Sequence, residues 1–334
     1  MADKDFLTYN QQMRKLRDKK HIDCEGSKDK NVLVRMGYFN LINGYKTPFT
    51  CGIDTAGDHI YLPNTSIDHF YCLKQFDDDL RILLLRYITQ VEEEVRTLTG
   101  YKFDQCNIAS KAQWFDTNAY NTHSRLQSRM STISSAYSEL SKSHLDYVKF
   151  YMDNHTSIPT WIMIKVVNFS TFIDVLKNSK MDVTHAICKL YDMTDAAGHY
   201  DVKLLIGSLH WLRKVRNSCA HNERIYCIKQ SQDRNGNSGR IQERYFRNLR
   251  PSYSRESEKK IMDLLVYFKY YLPDKEYKEL ISKLQEMLNA LKNSVTQNAF
   301  DNIRGQMGIK DLNDLEDLKN LTKSPIEYNK FDTY

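Results

Sequence analysis

The stretch from Ser66 to Leu98, SIDHFYCLKQFDDDLRILLLRYITQVEEEVRTL, repeats its apolar residues at three- and four-residue spacings without a glycine or proline. A run of that length and period is a long α-helix of about nine turns, against which other elements must pack. Ser66, with Asp68 and His69 behind it, supplies a start, and Gly100 supplies a stop. The same period predicts helices over 4–19, 127–152, 159–178, 179–193, 201–221, 256–271, 274–294 and, more weakly, 309–321. Pro159 suits the first turn of its helix, and Pro273 splits the pair near the C-terminus. The exception is 31–64, where four glycines and two prolines point to a short helix followed by an irregular or hairpin-like lobe. Residues 104–126 read as irregular.

The expected fold is therefore all-α, a helical bundle with a small irregular N-terminal lobe and extra C-terminal helices. The chain divides into the N-terminal helix and lobe (1–64), a helical core (65–228), a basic loop (229–255) and C-terminal helices (256–334).

Composition narrows the class. With 41% hydrophobic and 27% charged residues in 334 positions, the chain reads as a soluble globular protein with a sizeable core. No run of 18 apolar residues marks a membrane helix, and MADKDFLTYNQQMRKL lacks the apolar stretch of a secretory signal. Seven cysteines stand singly, without a C-x-x-C pair, which fits a reducing cytoplasm. No metal-ligand spacing occurs, so neither metal nor cofactor is expected. Net charge is +6, and most of the excess lies in one segment. Residues 229–255 hold Lys229, Arg234, Arg240, Arg244, Arg247, Arg250 and Arg255 against two acids, a net of +5, interleaved with Tyr245, Phe246 and Tyr253. Such a patch suits a polyanion with stackable bases, and equally a solvated loop between helices.

The helix over 201–221 carries the chemistry-bearing residues. Leu205, Leu209, Leu212, Val215 and Cys219 form its apolar stripe. Asn217 and His221 share a face off that stripe, beside Lys214. Arg216 falls within the stripe's angular range and so needs a carboxylate or a phosphate. Glu92, Glu93 and Glu94 are the internal candidates. The plainer alternative has Arg216 snorkelling from the stripe's edge and His221 capping the helix. The spacing itself decides little, since chance gives roughly half an Arg-x4-His in a chain of this composition. Tyr38, Tyr45 and Tyr226 suit base stacking or a half-buried core. Trp114, Trp161 and Trp211 read as core, and His21, His144 and His155 as surface residues.

VRNSCAH, followed by Arg224, resembles the Arg-x4-His signature of HEPN domains. Three further blocks stand in order before it. GYFNLINGYKTPF (37–49), FDDDLRILLLRYITQVEEEVRT (76–97) and PTWIMIKVVNFS (159–170) resemble those of the Abi family of phage abortive-infection proteins, the AbiD/AbiF group. Together the four cover about 30–227. Two positions depart from that pattern: Lys165 stands where an acid is expected, and Phe169-Ser170 where Phe-Gly is. The first leaves Glu92 as the better supporting acid.

The resemblance implies a HEPN-like bundle and a metal-independent endoribonuclease acting in abortive infection or as a toxin, restrained by a small non-coding RNA. It implies Arg216, His221 and Asn217 as the catalytic set, and a homodimer, because HEPN sites are usually composite. Arg213, Lys214 and Arg224, with the cations of 229–255, are the expected RNA contacts. Two other readings remain at this level. One is an RNA-binding module in which Arg-x4-His only grips RNA. The other is a buried polar pair that holds helices or a dimer together.

Overall fold

The computed structural model describes residues 6–195, 197–230 and 259–333. The N-terminal lobe comprises α1 (Tyr9–Lys20), α2 (Gly26–Met36), a π-helical turn (Phe39–Asn43) and a hairpin of β1 (Thr50–Ile53) and β2 (His59–Tyr61). The two strands run antiparallel with a bulge between Thr50 and Gly52. The glycine-rich stretch is thus a hairpin on a helical base, as its composition suggests. α1 opens later than the periodicity indicates because Thr8 and Gln11 form a capping box there.

The spine is α3 (Ile67–Asn107), and its start is the expected one: the Ser66 amide donates to His69 Nδ1 at 3.2 Å within a capping box. Its end is not at Gly100. The helix continues because Phe103 and Asn107 are buried beyond it, and Asn107 Nδ2 bonds the Ala119 carbonyl. Gly100 serves a crossing instead. A Cβ there would lie 3.5 Å from Ile164 Cδ1 and 4.0 Å from the Trp161 backbone.

Then come α4 (Leu126–Ser141), α5 (Asp146–Asn154), α6 (Thr160–Val166), α7 (Phe169–Asn178), α8 (Met181–Leu190) and α9 (Val202–Ala220). The chain closes with α10 (Ile261–Tyr271), α11 (Asp274–Lys292), α12 (Gln297–Met307) and α13 (Asn313–Asn320). α3 touches α6, α8, α9 and α11, so it is the common wall of the bundle. One hydrophobic cluster runs through the molecule from Met13 to Phe331. The fold is all-α with a small N-terminal lobe.

Two expected helices are each broken in two. The 127–152 run stops at the polar turn 142–145. The 159–178 run breaks at Val167–Asn168, where Asn168 leaves the helix and caps α7, its Oδ1 accepting from the Thr171 amide at 3.0 Å. Glu139 accepts from the amide of that same Asn168. α12 was not signalled by periodicity. It is amphipathic but short, with Thr296 at its N-cap and Gly308 past its end.

No described helix is long and apolar enough to cross a membrane. Trp114 and Trp211 are core, as expected, whereas Trp161 is 56% exposed. Trp161 sits in the first turn of α6, whose other face is the one packed on α3, and this places the indole outside. His21, His144 and His155 are exposed.

Candidate functional site

Everything in the Arg-x4-His block hangs on the last turn of α9 and the loop behind it. Leu205, Leu209, Leu212, Val215 and Cys219 are buried, as the wheel requires. Asn217 and His221 are exposed. His221 is the C-cap and not a helical residue, its amide bonding the Asn217 carbonyl at 2.9 Å. Asn222 then takes a left-handed φ of 56°, which asparagine tolerates, and turns the chain back.

That turn is clamped by a buried polar network. Asp77, fully buried on α3, accepts from the Tyr45 hydroxyl at 2.9 Å, Arg81 NH1 at 3.0 Å and the amides of Ile225 and Tyr226 at 3.1 and 2.7 Å. Burial pushes the Asp77 carboxyl above the usual range, and these donors oppose it. Arg81 also reaches the Glu223 carbonyl at 3.1 Å and pairs with Asp78. Arg224 donates to the Gly44 carbonyl. Tyr45 and Tyr226 stack at 5.9 Å between centroids. Both are buried, so they belong to the core and not to a stacking surface. The blocks 37–49 and 76–97 thus meet directly behind His221.

Arg216 faces another way. It is not aimed at the core: its side chain is 40% exposed, and its Nε lies 3.7 Å from Glu92 Oε2. The periodicity places it at the stripe's angle, but the long side chain carries the guanidinium out along the edge. Glu92 is the acid that it meets. Glu94 is occupied by the hydroxyls of Tyr191 and Tyr328 at 2.6 and 2.8 Å. Glu92 in turn holds Arg96, with NH2 at 2.7 Å. Arg96 caps the α6–α7 break by donating to the carbonyls of Ile164 and Val167, and it lies over the rings of Phe169 and Phe172. Arg96 lies within the block 76–97, yet its role depends on a helix break that periodicity does not show.

Two cavities flank α9. A cleft of about 1010 Å³ between α3 and α6 is lined by Arg216, Glu92, Arg96, Lys165 and the exposed Trp161. A second pocket, of about 440 Å³, is lined by His221, Asn217, His210, Arg213, Lys214, Ser218, Glu223 and Gln230. In one chain, then, Arg216 and His221 open onto different cavities. Asn217 stands between them: it lines the His221 pocket while its Oδ1 accepts from Arg216 NH1 at 3.4 Å.

Of the expected RNA contacts, Arg213 and Lys214 are in the His221 pocket. Arg224 is not, being bound to Gly44. Lys229 lies at the pocket's edge, its carbonyl accepting from Lys214 Nζ at 2.7 Å. Arg234, Arg240, Arg244, Arg247, Arg250 and Arg255 lie outside the described residues. Gln230 and Lys259, the residues on either side of that segment, bond each other in an antiparallel bridge with both N–H···O distances at 3.0 Å. The two described residues that flank the segment are thus adjacent, and Gln230 lines the pocket. His210 and Glu223 were not singled out by the sequence. His210 lies seven residues before Asn217 on the same face, and that spacing could have found it. Among the described residues, no cluster of His, Cys, Asp and Glu is grouped to hold a metal ion.

The model of the Abi-like protein family matches residues 31–227, more than half of the chain, and the chain belongs to that family. No curated protein and no solved structure matches it. The family's name points to abortive infection, a defence against phage.

Proposed function

We propose that the protein is a HEPN-type endoribonuclease of phage defence, acting in abortive infection or as a toxin, with Arg216, Asn217 and His221 as its catalytic set. The observation that carries this reading is the end of α9: an exposed histidine in a cation-lined pocket, with an arginine one turn back paired to a single carboxylate. Metal-independent RNA cleavage needs those groups. A base takes the proton of the 2′-hydroxyl, whose oxygen attacks the adjacent phosphorus. The 5′-oxygen leaves with a proton from an acid, and a cation offsets the phosphorane charge. Imidazole serves as base or acid near neutral pH, and guanidinium grips two phosphate oxygens. Glu92 keeps Arg216 oriented until phosphate replaces it. The products are a 2′,3′-cyclic phosphate and a 5′-hydroxyl. Such 5′ ends accept a label from polynucleotide kinase without prior phosphatase, and ends that need phosphatase would contradict this chemistry.

The opposed directions of Arg216 and His221 support a composite site, in which Arg216 of one subunit and His221 of another act on one phosphate. A homodimer with its two-fold axis near His221 is the expected assembly, and light scattering that found a fully active monomer would contradict it. The core 65–228 is the proposed catalytic unit. The segment 229–255, rooted at the pocket, is its proposed RNA-holding arm. Replacing its seven cations with glutamine should weaken RNA binding and flatten the dependence of affinity on salt, the slope falling by about 0.7 for each phosphate that is no longer neutralised. An unchanged slope would mean that the arm does not hold RNA. A small non-coding RNA as restraint follows from the resemblance to the AbiF group.

A non-catalytic RNA-binding module is the second reading. Lys165 favours it, because it puts a cation into the Arg216 cleft where an acid was expected.

A further inference from the structure

The His221 pocket has a second, more basic end. His210, Arg213 and Lys214 line it, further back along α9. At a rise of 1.5 Å per residue, Arg213 lies about 12 Å and His210 about 16 Å from His221 along the helix. One phosphate cannot touch both ends.

Three observations mark this end as a place for an anion. Arg213 NH1 donates to Ser170 Oγ at 3.0 Å, which fixes the guanidinium, while its Nε is buried and has no partner among the described residues. Lys214 gives one N–H to the Lys229 carbonyl and keeps two. His210 is half-buried, and burial together with Arg213, Lys177 and Lys259 holds its pKa below the usual value, with Asp174 opposing. The acid of the lining, Glu223, is engaged by the Ser218 hydroxyl at 2.6 Å. The rest of that preset guanidinium and the two remaining Lys214 N–H groups, under an excess of positive charge, are what a phosphate oxygen would meet. Lys259 also bonds the Gly207 carbonyl at 3.4 Å, so this end sits at the root of the basic segment.

We propose that His210, Arg213 and Lys214 form a second phosphate subsite, which grips the RNA backbone a few nucleotides from the bond held at His221. The proposal rests on the RNA reading above. It makes the preferred ligand a strand long enough to run along α9, and it makes a dinucleotide a poor one.

The test is binding of 2′-O-methyl oligonucleotides, which this chemistry cannot cleave, to the full chain by fluorescence anisotropy. A dinucleotide and an octanucleotide are compared for the wild type, Arg213→Gln and His210→Gln. His210→Gln removes no hydrogen bond found among the described residues, so it reports even if Arg213→Gln disturbs the fold. Each variant should weaken octanucleotide binding about ten-fold, the worth of one charge-assisted hydrogen bond, and leave dinucleotide binding unchanged. Equal losses at both lengths, or a loss at neither, would overturn the subsite. A wild type that bound neither length would instead defeat the RNA reading itself.

Discussion

Replacing Asp77 with alanine is expected to cost about 3–5 kcal/mol of stability, the scale seen when one partner of a buried ion pair is removed. The loss has several named parts. Arg81, whose side chain is 9% exposed, would lose the Asp77 half of its pairing. The Ile225 and Tyr226 amides and the Tyr45 hydroxyl would be left buried without an acceptor. Asp77→Asn should cost less, because one amide oxygen still accepts from the two backbone amides. Urea unfolding of the three proteins measures this as a shift in midpoint at constant slope. The effect extends to function. Asp77 does not reach the pocket, but the loop it holds begins at Asn222, directly after His221. In Asp77→Asn, cleavage should therefore fall by more than the unfolded fraction explains. A stable Asp77→Ala, within about 1 kcal/mol of the wild type, would mean that the network is not what anchors the α9 turn.

Arg216→Ala and His221→Ala carry the second large effect, on rate and not on stability. His221 is exposed and makes no side-chain hydrogen bond among the described residues, so its removal should change stability by less than about 0.5 kcal/mol. Removing Arg216 leaves Glu92 paired with Arg96, so no buried carboxylate is stranded. Each variant should nonetheless reduce RNA cleavage by about 10²–10⁴-fold, the range for removal of an acid–base group or a transition-state interaction. The measurement is single-turnover cleavage alongside equilibrium RNA binding. Binding retained with cleavage abolished supports a catalytic role. Binding abolished in the variants of a wild type that never cleaves supports the module. A drop of several kcal/mol in the stability of Arg216→Ala would return that residue to a purely structural role.

Much of this was legible in the sequence, and the parts that were not have physical reasons. The α9 stripe and the pairing of Asn217 with His221 follow from 3.6-residue geometry, and the packing bears them out. The same geometry places Arg216 at the stripe, but its guanidinium runs out along the edge, where Glu92 lies 3.7 Å from its Nε. Helix ends were less legible. Gly100 reads as a stop in isolation, and only the neighbouring α6 shows that it marks a crossing. The break at Val167–Asn168 is invisible to periodicity because apolar residues continue through it. What stabilises it lies far away in sequence, in Arg96 and Glu139. The Asp77 network was hidden for the same reason. Its members lie in three blocks separated by 32 and 148 positions, and each looks ordinary alone. Trp161 shows the limit of residue type as a guide: a tryptophan in an apolar helix reads as core, and only the side of α6 that meets α3 decides otherwise.

If the end of α9 cleaves RNA without a metal, as proposed, one assay shows it. Purified protein is incubated with total RNA, with and without a metal chelator, as wild type and as His221→Ala. Cleavage should persist in chelator, leave 5′-hydroxyl ends and disappear in His221→Ala while the variant stays folded. Wild-type protein that binds RNA but leaves it intact, or cleavage that continues unchanged in His221→Ala, would contradict the claim.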